Sequence, residues 1–436
     1  MSIFEERESN VRSYCRSFPA VFERAKGSLL YAESGAAYLD FLAGAGALNY
    51  GHNNEEIKQK VVEYLLADGV MHALDLHTTA KGKFLEKFSE SVLKPRNLDY
   101  KVQFCGPTGT NAVEAALKLA RKAKRRPGIF SFMGGYHGVS MGSLAVTGGT
   151  SHRGAAGVPL NNVTFMPYPS GRMSGFDTIE YMEAVLTDGH SGVEKPAAVI
   201  FETVQAEGGI VVAPVEWIQR LRRLCDEHDI LLICDEIQVG CGRAGGFFSF
   251  ERAGIVPDMV TLSKSISGIG SPMSLLLFKR ELDVWEPAEH TGTFRGYQLA
   301  FVGAAAALEY REKHGLEEEV KAKAAFIENY LSREIATLAE GIEIRGLGMI
   351  WGIDLTGAGG ATLAKRVTAR CFQLGLIIER VGRDDGVLKL IPPLTIETEL
   401  LEKGCSVIKQ ALRECLAEEA AAEGLAPERQ GEYVSG

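Results

Sequence analysis

Asp258-Met259-Val260-Thr261-Leu262-Ser263-Lys264-Ser265 leads from an apolar, strand-like run into a turn of small polar residues and carries a lysine across the junction. Ser267, Gly268, Gly270 and Ser271 follow, so the backbone there can take positive φ and approach a ligand closely. A lysine after a strand is, by itself, most often a solvated surface side chain. Its surroundings set the expectation. Strand-like runs recur at residues 101–105, 128–132, 197–202 and 230–234, and helical periods lie between them. One such helix, at 217–228, is expected to turn Arg220, Arg222 and Arg223 to solvent. The alternation predicts an α/β fold with a mostly parallel sheet covered on both faces. Ligands of such sheets lie beyond the carboxyl ends of the strands, which is where Lys264 stands.

Two other strand ends supply matching chemistry. Asp235 closes the most apolar run, Ile230-Leu231-Leu232-Ile233-Cys234. A carboxylate there either caps the following turn or meets a cationic partner such as a protonated pyridine nitrogen. After the strand at 101–105, Gly106-Pro107-Thr108-Gly109-Thr110-Asn111 opens an alanine-rich helix, and free N–H groups at a helix start favour an anion. Tyr136, in Gly134-Gly135-Tyr136-His137-Gly138, lies just past another strand end. An amine for an aldehyde, a carboxylate for a ring nitrogen, a helix start for a phosphate and an aromatic ring to stack form a set that pyridoxal 5′-phosphate requires. Lys264, Asp235, Gly109, Thr110 and Tyr136 make that set in this chain.

Composition sets the outer limits. The 436 residues exceed one small core, so a large α/β domain with a smaller one is expected. A net charge of −9 argues against nucleic acid as the main partner. Eight scattered cysteines without a C-x-x-C pair give neither a disulfide framework nor a metal site. The acidic start Met1-Ser2-Ile3-Phe4-Glu5-Glu6 does not resemble a signal peptide, and no apolar run is long enough to cross a membrane, so a cytoplasmic location is expected. The division expected is an arm and part of the small domain at 1–60, with a hairpin at 28–41. A large domain follows at 61–315, then a small βαβ-like domain at 316–416 and a flexible tail at 417–436.

The motifs fall in the order of a known family. Tyr38-Leu39-Asp40-Phe41, Gly51-His52, Thr108-Gly109-Thr110-Asn111-Ala112-Val113-Glu114-Ala115 and Tyr136-His137-Gly138 come first. Glu202-Thr203-Val204-Gln205-Ala206-Glu207-Gly208-Gly209, Asp235-Glu236-Ile237-Gln238, Ser263-Lys264 and Pro392-Pro393-Leu394 come after them. Over residues 14–408 the chain resembles class III (ω-amino acid) aminotransferases of fold type I. Its run Phe41-Leu42-Ala43-Gly44-Ala45-Gly46-Ala47-Leu48-Asn49-Tyr50-Gly51-His52 is similar to that of diaminobutyrate–2-oxoglutarate transaminases of the ectoine type.

The resemblance implies a large domain with a mostly parallel sheet, a smaller α/β domain built from both termini, and pyridoxal 5′-phosphate as cofactor. It gives Lys264 the covalent link to the cofactor and the proton transfer, Asp235 the pyridinium, and Gln238 the phenolic oxygen. Tyr136 stacks on the ring with His137 close by, and Gly109 and Thr110 take the phosphate. Thr293, in Thr291-Gly292-Thr293-Phe294-Arg295-Gly296, matches a threonine that reaches the phosphate of a neighbouring subunit, implying a homodimer or higher oligomer with shared sites. Glu207 matches a glutamate that gates between amino donors. The substrates implied are L-glutamate as amino donor and L-aspartate 4-semialdehyde as acceptor.

Three positions depart from the family. Lys389 stands where an arginine usually binds the glutamate α-carboxylate, keeping the charge but losing the planar fork, with Arg380 and Arg383 as nearby substitutes. Gln205-Ala206-Glu207 replaces Gln-Gly-Glu, and Gly296-Tyr297-Gln298 replaces Gly-Asn-Pro. Rival readings within the fold are an ornithine, acetylornithine or 4-aminobutyrate type of ω-aminotransferase, a racemase or aminomutase, and a non-catalytic cofactor binder. Gly138-Val139-Ser140-Met141-Gly142 matches the nucleophile elbow of esterases, but the elbow needs its serine at the strand end, which lies earlier, near Phe132. Gly346-Leu347-Gly348-Met349-Ile350-Trp351-Gly352 misses the dinucleotide spacing by one residue.

Overall fold

The computed structural model describes residues 2–169 and 175–424. Three antiparallel strands come first, β1 (Phe22–Lys26), β2 (Leu29–Ala32) and β3 (Ala37–Asp40), with the expected hairpin turning at Gly35. The main strands follow: β4 (Tyr100–Phe104), β5 (Ile129–Phe132), β6 (Val163–Met166) and β7 (Ala198–Phe201). After a short ribbon of β8 (Val204–Gln205) and β9 (Val211–Val212) come β10 (Leu231–Asp235), β11 (Met259–Leu262) and β12 (Leu275–Lys279). Seven strands form one sheet in the order β4-β12-β11-β10-β7-β5-β6, in which β12 alone runs antiparallel to its neighbours.

Strands β7, β10 and β11 are buried at every position, which suits apolar runs covered on both faces. Phe132, Phe201, Trp217 and Phe301 belong to the core on one face. On the other, Ala112, Ala115, Ala116 and Ala120 of helix Gly109–Lys124 cluster with Ile200, Ile233, Met259 and Leu276. Small side chains let that helix lie close to the sheet, so its N-terminus arrives beside the ends of β10 and β11.

One helix differs from the sequence reading. In Val215–Glu227, Arg222 is buried, four residues from buried Ile218, and its Nη1 meets Asp258 Oδ2 at 2.8 Å. Asp258 also accepts from Lys279 Nζ at 2.6 Å and Leu232 N at 2.7 Å. The arginine therefore serves the base of the sheet rather than solvent.

The remaining strands are β13 (Glu343–Leu347), β14 (Ile350–Asp354), β15 (Leu376–Ile377), β16 (Glu379–Val381) and β17 (Val387–Leu390). The βαβ pattern expected here is replaced by an antiparallel sheet, β13-β14-β17-β16. A tight turn at Gly348, φ +59°, makes β13 and β14 a hairpin where the sequence reads as one run. Only β15, after helix Gly360–Gln373, is parallel to its partner, and that partner is the N-terminal β3. The second core accordingly joins Phe41, Tyr50 and Ile57 to Trp351, Leu388, Leu401 and Ile408. Helix Thr398–Gly424 continues through the start of the expected tail, and residues 425–436 lie outside the described residues.

A fully buried arginine ties the two cores together. Arg243 Nη1 donates to Met349 O at 3.0 Å and to Pro392 O, and Nη2 donates to Asn49 Oδ1 at 2.7 Å. Burial lowers its pKa to about 9. Among the described residues no helix is long and apolar enough to cross a membrane.

Candidate active site

At the carboxyl ends of β10 and β11 lies a cavity of about 220 Å³ lined by Gly109, Thr110, Tyr136, His137, Glu202, Glu207, Asp235, Gln238 and Lys264 among others. Eight of the ten sequence-chosen site residues thus meet in one place; Thr293 and Lys389 do not line it. Lys264 follows β11 after the extended Ser263 and adopts φ +51°, a left-handed backbone that lysine rarely takes. Burial pushes its pKa below the ordinary lysine value, with Lys389 adding to the effect and Glu207 opposing it. An amine so placed is closer to the neutral, nucleophilic form.

Asp235 is the last residue of β10, and donors hold both its oxygens. His137 Nδ1 lies 2.7 Å from Oδ2, while Thr261 Oγ1 and Ile237 N donate to Oδ1 at 3.0 and 3.1 Å. Burial opposes a charge on His137, yet the bond to Asp235 and its negative charge outweigh it, and the histidine pKa rises. His137 therefore orients the carboxylate, a role more specific than the proximity expected. Glu202, beneath it, accepts from Tyr136 N at 2.9 Å and is pushed up to about 7 by burial. Tyr136 itself lines the cavity and packs edge-on against His152 at 5.4 Å.

The helix start at Gly109–Thr110 has no side-chain cap, as an anion site requires. Thr110 Oγ1 sits 2.6 Å from Ser140 Oγ and 2.5 Å from Ser143 Oγ, and Glu114 accepts from Gly142 N and Ser143 N at 2.8 and 3.1 Å. Gly138 makes this cradle possible, because at φ +113° a Cβ would lie 2.6 Å from Thr110 Oγ1. The serine of the esterase-like motif is thus part of a hydroxyl cluster at this helix start. The amine, the doubly held carboxylate and the uncapped helix start suit the aldehyde, ring nitrogen and phosphate of pyridoxal 5′-phosphate.

Lys389 lies behind the cavity, in the middle of β17, with no exposed surface. Its Nζ is 2.7 Å from Glu207 Oε1, 2.8 Å from Glu379 Oε1 and 3.3 Å from Gln238 Oε1. Gln238 Nε2 in turn donates to Glu207 Oε1 at 3.1 Å and to Ala45 O at 3.0 Å. Burial works against the charge on Lys389, but the two carboxylates overcome it and raise its pKa. Burial works against Glu207 likewise, yet Lys389 and Lys264 hold it down at about 2. Glu379 is raised, by burial first, against the pull of Lys389.

Neither nearby arginine joins this group. Arg380 alternates with Glu379 along β16 and lies 3.7 Å from Asp385, and Arg383 lines the adjoining cleft. Glu379 was not singled out in the sequence, although a glutamate after Leu376-Ile377-Ile378 is a signal, since a charge in a buried run needs a partner. Thr293 is exposed, and its carbonyl accepts from His72 Nε2 at 2.6 Å.

Residues 12–412 match the family model for aminotransferase class-III. The chain is 52% identical over 416 residues to a diaminobutyrate–2-oxoglutarate transaminase of Halalkalibacterium halodurans, covering 95% of this chain and 96% of that one. It is 53% identical over 421 residues to the enzyme of the same name from Bordetella parapertussis, covering 96% of each. Among solved structures it superposes on an ornithine aminotransferase from Toxoplasma gondii, crystallised with partial occupancy of pyridoxal phosphate, with a TM-score of 0.83 at 24% identity. That match covers 96% of this chain and 94% of the other. With the fold shared and the family model matched along nearly the whole sequence, the chain belongs to the class-III aminotransferases and is an aminotransferase dependent on pyridoxal 5′-phosphate.

Proposed function

We propose that this aminotransferase moves the amino group of L-glutamate to the terminal carbon of L-aspartate 4-semialdehyde, giving 2-oxoglutarate and L-2,4-diaminobutyrate. The observation that carries this reading is identity above one half, over almost the full length, to two transaminases named for diaminobutyrate and 2-oxoglutarate. The bound cofactor supplies an aldehyde that takes up the amino group and a ring that accepts electrons from the substrate's reacting carbon.

The chain supplies the rest. Lys264 Nζ would hold the cofactor by its aldehyde and, when free, would move the proton at the reacting carbon. Asp235, fixed by His137 and Thr261, keeps the proton on the ring nitrogen. Tyr136 would cover the ring, Gln238 would serve the phenolic oxygen, and the free N–H groups at Gly109 and Thr110 would hold the phosphate. Glu207 covers Lys389 while a diamino acid is bound and uncovers it for the α-carboxylate of glutamate; its loop position allows this movement, whereas Lys389 is fixed in a strand.

The working unit is a cytoplasmic homodimer in which Thr293 completes the partner's phosphate site. Supporting this, Thr293 lies outside its own chain's cavity, near exposed Met71, Leu74, Leu76 and Phe294 in sequence and fold. Sedimentation as a monomer at micromolar concentration contradicts that part.

The purified enzyme absorbs in the visible, bleaches with glutamate and recovers with L-aspartate 4-semialdehyde. Absence of bleaching with glutamate refutes the donor. A borohydride-reducible link persisting in Lys264→Ala refutes the lysine.

A further inference from the structure

Lys264 shares its left-handed backbone with a second stretch at this end of the sheet. Ala43, Gly44, Ala45 and Gly46 take φ values of +46°, +60°, +55° and +87° in succession. Alanine and lysine keep such angles only when their surroundings fix them. The two strained stretches are bonded to each other. Ser265, the residue after Lys264, is buried; its Oγ donates to Gly46 O at 2.5 Å and accepts from Asn49 N at 3.2 Å. Asn49 carries the hold further, since its Nδ2 donates to Cys241 O at 3.2 Å and its Oδ1 accepts from Arg243 Nη2 at 2.7 Å. The start of the run is fixed as well. Asp40 Oδ1 accepts from Leu42 N and Ala43 N at 2.9 and 2.8 Å, and His52 Nε2 lies 2.8 Å from Oδ2. A hydrogen-bonded strut thus leads from Arg243, which ties the two cores, through Asn49 to Ser265 and the backbone of Lys264.

We propose that Ser265 is a positioning residue for Lys264, its hydroxyl holding the lysine's left-handed backbone and so the place of Nζ in the cavity. Ser265 is not among the residues that line the cavity, so it acts through its neighbour. This rests on the reading above in which Lys264 moves the proton at the reacting carbon. That step depends closely on where the lysine stands, because Nζ must come within hydrogen-bond reach of the proton it takes. A backbone at Lys264 relaxed to ordinary φ turns the Cα–Cβ bond, and the side chain leaves that place.

The test compares native holoenzyme with Ser265→Ala and Ser265→Thr. Single-turnover bleaching with L-glutamate, counted per cofactor-loaded site, should slow roughly 10–100-fold in the alanine variant, the scale of an ångström-sized misplacement. Threonine keeps the hydroxyl and should recover most of the rate. The visible absorbance of the resting holoenzyme, titrated with pH, reads the surroundings of Nζ without turnover. Its midpoint should rise in Ser265→Ala by about half a pH unit or more, because a loosened side chain meets more water and the charged form gains. Should the alanine variant fail to fold, Ser265→Cys, close in size and only a weak donor, carries the same expectation. A native rate per loaded site or an unmoved midpoint, even beside a lowered urea midpoint, marks a purely structural residue and overturns the proposal. A reducible link to the cofactor that persists in Lys264→Ala refutes the underlying reading instead. Native enzyme that glutamate does not bleach refutes the donor, and the pH titration then decides the proposal alone.

Discussion

Lys389→Met removes the cation but keeps the bulk of the side chain. Glu207 and Glu379 are then left in a buried site without their cation, Glu207 keeping the Gln238 Nε2 donor and Glu379 the Tyr14 hydroxyl. Taking one partner from a buried ion pair costs about 3–5 kcal/mol, because the remaining charge stays desolvated. The sign of the pH dependence follows from the carboxyls. In the native chain Glu207 is held at about 2, against an ordinary 4.5, so its stabilising contribution is complete above about 4.5 and is lost only as the pH falls toward 2. Without the lysine, burial raises Glu379 further and lifts Glu207 from its depressed value against the remaining pull of Lys264 and Gln238. The penalty is then full at neutral pH and shrinks as the pH falls through the raised values, where the carboxyls protonate. Urea unfolding at pH 7.5 and pH 5.5 should show a native-to-variant gap that is larger at the higher pH. Adding Glu379→Gln to Lys389→Met should recover part of the loss, a coupling expected of neighbours. An equal gap at both pH values, or no loss at all, refutes the charged triad.

Replacing His137 with Phe removes the 2.7 Å bond to Asp235; a bond to a charged group is worth about 1.5–3 kcal/mol, so the half-reaction rate should fall roughly 10–100-fold, with Asn restoring part of it. Gly138→Ala places a methyl 2.6 Å from Thr110 Oγ1 at φ +113°, and visible absorbance per chain should show weakened cofactor binding, with unchanged occupancy as the contrary result. Arg243→Met orphans Met349 O, Pro392 O and Asn49 Oδ1, and at about 1–3 kcal/mol for each buried acceptor the unfolding midpoint should drop clearly.

What could be read in the sequence follows from where local chemistry suffices. The apolar runs ending at Asp235 and before Lys264 can only be buried strands, and their polar ends mark the cavity's floor. Gly109 is legible because a small residue between a strand and a helix start announces a close approach, whereas Gly138 reads only as part of a motif and its contact with Thr110 shows in the fold. Long-range pairing was not legible. Nothing in residues 376–377 says that they join β3, more than 300 residues earlier in the chain, and the turn at Gly348 hides within one apolar stretch. Arg222 reads as solvent-facing because its partner Asp258 lies on another element. The same limit applies to Lys389: its substitution for arginine is visible in sequence, but the second carboxylate that answers it comes from an adjacent strand.

The most direct measurement is an acceptor comparison with purified enzyme and L-glutamate, in which products are identified by chromatography. L-aspartate 4-semialdehyde, succinate semialdehyde, glutamate 5-semialdehyde and N-acetylglutamate 5-semialdehyde are offered in turn. The account predicts L-2,4-diaminobutyrate from the first, with one 2-oxoglutarate formed per product and the highest specificity constant of the four. A higher specificity constant with any other acceptor, or diaminobutyrate formed without 2-oxoglutarate, contradicts it.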